Sequence, residues 1–491
     1  MVAKEGEMRF AMLRRTKIAV VAAAVLMVLA ACSIQAPNVT LTGSGGGGSG
    51  TGGTGFGTTT GTGGTSTGSG TSGTAGTGTG TLPNANDTSC VGKATDTGVT
   101  GSEIKLGSTF AATGPVSSIS GPIFYGVQSY FDKVNANGGV FGRKINYVTY
   151  DDGWDAQKGK AFIKKLVEQD RVFILSVVPS SNGLDAAKNY LESRHMPVIG
   201  SSGLIESQFQ SPMQWPVGTS TKSATRILLL KMSQLGVRNA AIIWLDLLAG
   251  QEAYDAFREG IPSVLHKSVD AFMSGQARVS ISGENYQSVW SNIAEQVSTW
   301  QSNNHETVTG VPDFVYFAID PTSAISAIQA AQSKAYSPVH GWGGGQPLYL
   351  SVIAQQGYAR ATHLIAGSSY YPPQLTQIPA VRDYVSTVRH YYGSSVDVTN
   401  PFLEGGYVGA ALTIEAIRRV GSCLTKDKVI KVANNFNGFS PAGLTRPLTY
   451  TGTSDTNFDH HGNYSYLWAQ LGSNGTWVVD PHWQIDPTPG K

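Results

Sequence analysis

Short apolar runs alternate with amphipathic helical stretches from Ile104 to about residue 440, and this alternation most restricts the fold. Strands are predicted at Ile104 to Thr109, Ile145 to Tyr150, Val172 to Val178, Pro197 to Gly200, Ala240 to Leu245, Phe314 to Ile319 and His363 to Gly367. Helices are predicted from about Pro122 and from Ala156, through Leu184 to Leu191, and from Tyr286 to Trp300. Further helices are expected at Ala324 to Ala331, Ala380 to Tyr391, Gly406 to Val420 and Lys426 to Phe436. Strands that alternate with helices indicate an α/β protein with parallel sheets. One parallel sheet of that many strands would be unusually large, so the pattern predicts two lobes. The last stretch, Leu444 to Val479, reads as strands and turns.

Within this pattern the stretch Val172 to Gly183, VFILSVVPSSNG, combines a buried strand with a polar turn and the start of a helix. In open α/β sheets, ligands sit beyond the carboxyl ends of the strands. The following helix also presents unpaired N–H groups there. Ser180 and Ser181 are therefore candidate ligands for a carboxylate. The competing reading is that they only cap the next helix.

The N-terminal region has a different character. Residues 14–32 carry a basic start (Arg14, Arg15, Lys17) and an apolar core from Ile18 to Leu29, the length of a signal peptide rather than of a membrane span. Leu29-Ala30-Ala31-Cys32 resembles the bacterial lipobox, which implies lipidation at Cys32 after removal of residues 1–31. Residues 38–81 are almost wholly Gly, Thr and Ser, so 32–96 is expected to be a lipidated, disordered tether. Its Gly-rich part reaches roughly 35–40 Å on average. Dinucleotide-like and hydrolase-like glycine patterns inside it (residues 50–55 and 64–68) lack a strand before and a helix after, and carry no weight. Without residues 1–31 the chain has 30 Lys and Arg against 31 Asp and Glu, which is no footprint for nucleic acid. The two cysteines left, Cys90 and Cys423, are either a disulfide in an oxidising compartment or two separate thiols.

The segments SEIKLGSTFAATGPV, NANGGVFGRKINYVTYDDGWDAQKG, LVEQDRVFILSVVPSSNGLDAAKNYLESRHMPVIG and EGGYVGAALTIEAIRRVGSCLT resemble the type I periplasmic binding proteins, and within them the Leu/Ile/Val-type substrate-binding proteins of ABC importers. The resemblance implies two doubly wound lobes joined by a three-strand hinge. The first lobe would take 97–205 plus 368–440, and the second 206–367 plus 441–485. It further implies a ligand-binding role without catalysis or cofactor, outside the membrane and delivering to an ABC permease. A sensor of an amide, urea or amino acid on the same fold is the alternative. Carried over by position, the ligand contacts would be Ser180, Ser181, Ser201, Ser202, Gly203, Asp320, Trp342 and Tyr407. Cys90 and Cys423 would fall in one lobe, which favours their pairing.

One departure bears on the ligand. Many relatives place an acid for the α-ammonium where this chain reads His340-Gly341-Trp342-Gly343-Gly344-Gly345. Either Asp320 takes that role or the ligand has no ammonium. Ile119 stands where relatives have Tyr. No metal site is expected. Asp155 reads as a helix cap, with Asp151 and Asp152 fixing the turn before it. Asp459, His460 and His461 read as a solvated hairpin turn. Ser180 lacks a nearby base for nucleophilic chemistry, since His195 lies at the far end of the following helix.

Overall fold

The computed structural model describes residues 82–489, apart from 115, 282–283, 346–347, 349–362 and 455–456. Cys32 and the signal and tether segments before residue 82 lie outside the described residues. The first lobe begins with β1 (Glu103–Phe110), α1 (Ser117–Ala136), β2 (Lys144–Asp151), α2 (Ala156–Glu168), β3 (Ile174–Ser176), α3 (Ser181–Ser193), β4 (Val198–Ile199), α4 (Glu206–Phe209) and β5 (Gln214–Trp215). The five strands form one parallel sheet in the order β2-β1-β3-β4-β5. Strand β3 is buried along its whole length, as its apolar sequence requires.

The second lobe continues with α5 (Thr221–Gln234), β6 (Ala240–Leu245), α6 (Leu248–Leu265), β7 (Met273–Val279), α7 (Tyr286–Asn303), β8 (Phe314–Ala318), α8 (Pro321–Ser333), β9 (Trp342–Gly344) and β10 (Leu364–Ser368). The chain then returns to the first lobe for α9 (Pro379–Tyr392), α10 (Pro401–Val420), α11 (Lys426–Ala433) and the hairpin β11 (Thr451–Ser454) with β12 (Asn457–Asp459). It ends in the second lobe with β13 (Ser465–Leu471), β14 (Trp477–Val479) and β15 (Gln484–Ile485). The second sheet runs β14-β13-β10-β9-β8-β6-β7, with β15 on β13. It is parallel from β10 to β7 and antiparallel at β13 and β14; β10 runs out into the first lobe and β13 re-enters from it, so the two strands meet the hinge at the same end and point in opposite directions.

The two-lobed α/β fold is the expected one, but its boundaries move. Strand β5 belongs to the first sheet, so the chain crosses near Gly218 rather than at residue 206. Leu444, Leu448 and Tyr450 pack in the first core with Trp215 and Tyr370. The final crossing therefore comes near Asn463 rather than at residue 441. A two-residue strand such as β5 is too short for apolar alternation to reveal. The three crossings are laced together: Thr219 N–H donates to Ser369 Oγ (3.3 Å), Thr219 Oγ1–H to the Ser465 carbonyl (3.0 Å), and Asn463 Nδ2–H to the Ser369 carbonyl (3.2 Å).

The described structure also begins within the stretch, 32–96, where a tether was expected. Cys90 and Cys423 form a disulfide. Around it, Cys90 N–H donates to Ser422 Oγ, Ser422 N–H to the Asp87 carbonyl, and buried Arg143 to the carbonyls of Cys90, Lys93 and Thr100. Residues 84–96 are thereby fixed to the first lobe at the end of α10. Composition marks the low-complexity tract but not these later contacts.

Candidate ligand-binding cleft

A cavity of about 200 Å³ lies between the lobes, beyond the carboxyl ends of strands from both sheets. The first lobe contributes Ile119 and Ile123 from α1, Trp154 after β2, Ser181 and Asn182 at the start of α3, and Ser202 and Gly203 after β4. The second lobe contributes Leu245 and Leu247, Gly250 and Ala253 from α6, and the row from Tyr316 within β8 to Asp320 just beyond it. Most of this lining is apolar. Asp320 is its one charged residue among the described residues.

Four of the eight expected contact residues reach the cavity: Ser181, Ser202, Gly203 and Asp320. Helix α3 has no side-chain cap: Ser180 occupies the N-cap position without bonding the first turn. The first N–H groups of a helix have no intrahelical partner, and the helix dipole makes that end attractive to an anion. The Ser180 and Ser201 side chains lie behind the cavity wall, buried, with their hydroxyls unpartnered. Of each expected serine pair, only the second residue lines the cavity. Gly203 has φ +69°, and a Cβ there would meet Phe209 and Pro216 at 2.5 and 2.6 Å, so only glycine holds this wall in place.

Asp320 is 7% exposed and caps α8, its Oδ1 accepting from the N–H groups of Thr322 and Ser323 at 3.0 Å each. Its Oδ2 is buried and has no protein partner. Capping by one oxygen leaves the other available to a donor.

Trp342 and Tyr407 are not cleft residues. Trp342 is 1% exposed, stacked on Phe317 (centroids 5.8 Å apart) and edge-on to Trp290 in the second-lobe core. Tyr407 is buried in the first core between Tyr130 and Tyr384, with its hydroxyl beside Asp383 and Thr387. Both occupy the inward face of their element, which a carry-over by position does not resolve. The structure adds Trp154, held at φ +68° after the turn Asp151-Asp152-Gly153. The signal for it was an aromatic residue in the turn that follows a strand end. Asp155 caps α2 through Lys158 N–H, and Asp151 accepts from Gly153 in the same turn and from Ala112 and Thr113 in the loop after β1.

The turn at Asp459 to His461 is packed against the first lobe rather than solvated, with His460 buried and its two neighbours half-buried. His460 bonds the Gln214 carbonyl and stacks on Trp215, and burial pushes it down to about 4, so it stays neutral. Burial opposes charge on His461 as well, but the Asp459 and Glu206 carboxylates bonded to its two nitrogens raise it to about 9. The ring stacks on Phe209 (4.4 Å). Among the described residues no group of His, Cys, Asp and Glu is arranged to hold a metal.

A sequence profile described as periplasmic binding protein matches residues 103–476. The chain belongs to the periplasmic binding protein family. The Leu/Ile/Val-binding protein of Escherichia coli strain K12 is 28% identical over 101 residues, a match spanning 21% of this chain and 28% of that relative. Solved structures of periplasmic binding proteins share the fold at low identity. A fatty acid ABC transporter substrate-binding protein from Thermomonospora curvata has a TM-score of 0.65 at 18% identity, covering 80% of this chain and 95% of its own. A branched-chain amino acid transporter substrate binding protein from Streptococcus pneumoniae, in complex with isoleucine, gives 0.60 at 14%, covering 78% and 99%. An ABC transporter solute binding protein from R. palustris, in complex with benzoate, gives 0.58 at 16%, covering 77% and 95%.

Proposed function

We propose that this periplasmic binding protein is the substrate-binding lipoprotein of an ABC importer, tethered outside the membrane through Cys32, and that it captures a small amino acid or related carboxylate between its lobes. The observation that carries this reading is the cavity at the carboxyl ends of strands from both sheets, with an uncapped helix N-terminus on one wall and an unpartnered carboxylate oxygen on the other. A carboxylate is held by the first N–H groups of α3 and by the Ser181 and Ser202 hydroxyls. Asp320 Oδ2 accepts from the ligand's ammonium or amide N–H, the role left open by the glycines after Trp342. A ligand that touches both lobes shifts the open–closed equilibrium toward closure, and the permease reads the closed form.

The test is a thermal-shift screen of the purified chain against amino acids, amides and small carboxylates. A true ligand at 100 times Kd adds about 2.7 kcal/mol to stability. Ser181→Ala and Asp320→Asn each weaken it roughly tenfold or more, as expected for a hydrogen bond to a charged group. A ligand whose binding ignores both substitutions refutes the assignment of the head-group site.

A further inference from the structure

The cavity does not stop at the head-group residues. Successive residues of an extended strand point to opposite faces of its sheet. Val315, Phe317 and Ile319 pack in the core under α7 and α8, whereas Tyr316 packs with Ala253 and Phe257 in the core under α5 and α6, where Ala318 also lies. Asp320 continues the row of Tyr316 and Ala318, and all three line the cavity. From Asp320 down to Tyr316 is four residues, about 13 Å at the rise of a β-strand.

Opposite this row the helices present little bulk. Ala224 of α5 and Gly250 and Ala253 of α6 line the cavity there, and Tyr466 of β13 stands beside Tyr316. Gly250 fits because its α-carbon lies against the Leu245 carbonyl, which a Cβ would approach to 2.1 Å. The Tyr316 hydroxyl is bonded to Thr225 Oγ1 at 2.9 Å, so the inner end of the recess presents a satisfied ring rather than a polar group seeking a partner. Between Asp320 and this end, no charged side chain lines the recess among the described residues.

We infer that the ligand carries an elongated apolar tail that runs from its head group at Asp320 along Ala318 to Tyr316, into the second lobe between its sheet and helices α5 and α6. This rests on the proposed binding role of the same cleft and narrows the substrate class to amphiphiles with a chain longer than a common aliphatic side chain. The first lobe and Asp320 read the head; the second lobe measures the tail.

Calorimetry on the full chain with three straight-chain series, 2-amino acids from alanine to 2-aminodecanoic acid and the plain carboxylates and amides of matching length, tests this. Affinity is expected to rise about fourfold per added methylene, well past leucine-sized ligands, in at least one series. Ala318→Leu narrows the recess from the sheet side and Ala224→Leu from the helix side; each lowers the ratio of long- to short-ligand affinity at least tenfold. Two variants on different elements guard against misfolding of either, checked by an unchanged unfolding transition. Affinity that peaks at leucine size in every series, no length-dependent binding at all, or long and short ligands weakened equally by both variants overturns the inference. Length-dependent binding of amides or plain acids that is indifferent to Ser181→Ala and Asp320→Asn leaves the tail recess standing and removes the head-group reading.

Discussion

Single side chains in this protein are assigned by which face of their element they occupy. Trp342 illustrates it: one position along a glycine-rich strand decides between a cleft contact and a core ring on Phe317 and Trp290. Trp342→Ala is expected to cost about 3–5 kcal/mol of stability through the cavity it leaves. Urea unfolding measures that loss; a Trp342→Ala protein of unchanged stability contradicts the core placement. A second buried anchor is the pair of Arg226 and Asp486, where Arg226 Nε bonds Oδ1 at 2.9 Å and Ser223 Oγ donates to Oδ2 at 2.6 Å. Both charges are nearly inaccessible to water. Asp486→Ala removes the carboxylate that Arg226 bonds in this buried pair and should destabilise the second lobe by about 3–5 kcal/mol.

At the scale of elements, the sequence shows most helices and strands of the first lobe directly, because their apolar periodicities are uninterrupted. Helix α1 starts at Ser117 rather than at Pro122, placing the proline inside the helix, where local rules put it in the first turn. Helices α5 and α6 were not legible. Helix α6 carries Gly250, Gly260 and Pro262, which depress the local helical signal; packing against α5 and the sheet overrides it. The disulfide joins two parts of one lobe across 333 residues of sequence. Its removal by Cys90→Ser with Cys423→Ser should lower the unfolding free energy by about 2–5 kcal/mol, since a long loop is released in the unfolded chain. Ligand affinity should be spared because neither end spans the lobes. A large loss of affinity in the still-folded double variant would show that the bridge constrains closure.

At the scale of the whole molecule, the lobes meet at a carboxylate contact beside the cleft. The Glu206 N–H of the first lobe donates to both oxygens of Glu252 on α6 at 3.1 Å. Burial, together with the nearby Glu206 and Asp185 charges, pushes Glu252 up to about 7, against the opposing pull of the Glu206 N–H bond and of Lys222. His461, charged up to about 9, stands behind Glu206 with Asp459. When the lobes open, Glu252 regains water and its affinity for protons falls toward that of an ordinary carboxyl. The closed form therefore binds the extra proton between roughly the ordinary glutamate value of about 4.3 and about 7, and closure weakens as pH rises through that window. His461 does not lose its proton there, so the two effects separate. Ligand affinity should fall from pH 5.5 to pH 8, and Glu252→Gln should flatten the profile. An identical slope in both proteins would remove Glu252 as its source.

The sequence by itself determined the fold class, the presence of two lobes and the region of the chain where a ligand site must form. These follow from periodicity and from loops at strand ends, both local properties. Only the tertiary structure decided which serine faces the cleft, that Trp342 and Tyr407 lie in cores, where β5 sends the chain across, and that Ala224, Gly250 and Ala253 open a recess above Tyr316. Each of those depends on how two distant segments pack, and a one-residue change of register or face leaves the local pattern almost unaltered while exchanging core for cleft. Val172 to Gly183 shows both halves: its composition dictates a strand, a turn and a helix, and packing alone puts Ser181 rather than Ser180 in the cavity lining.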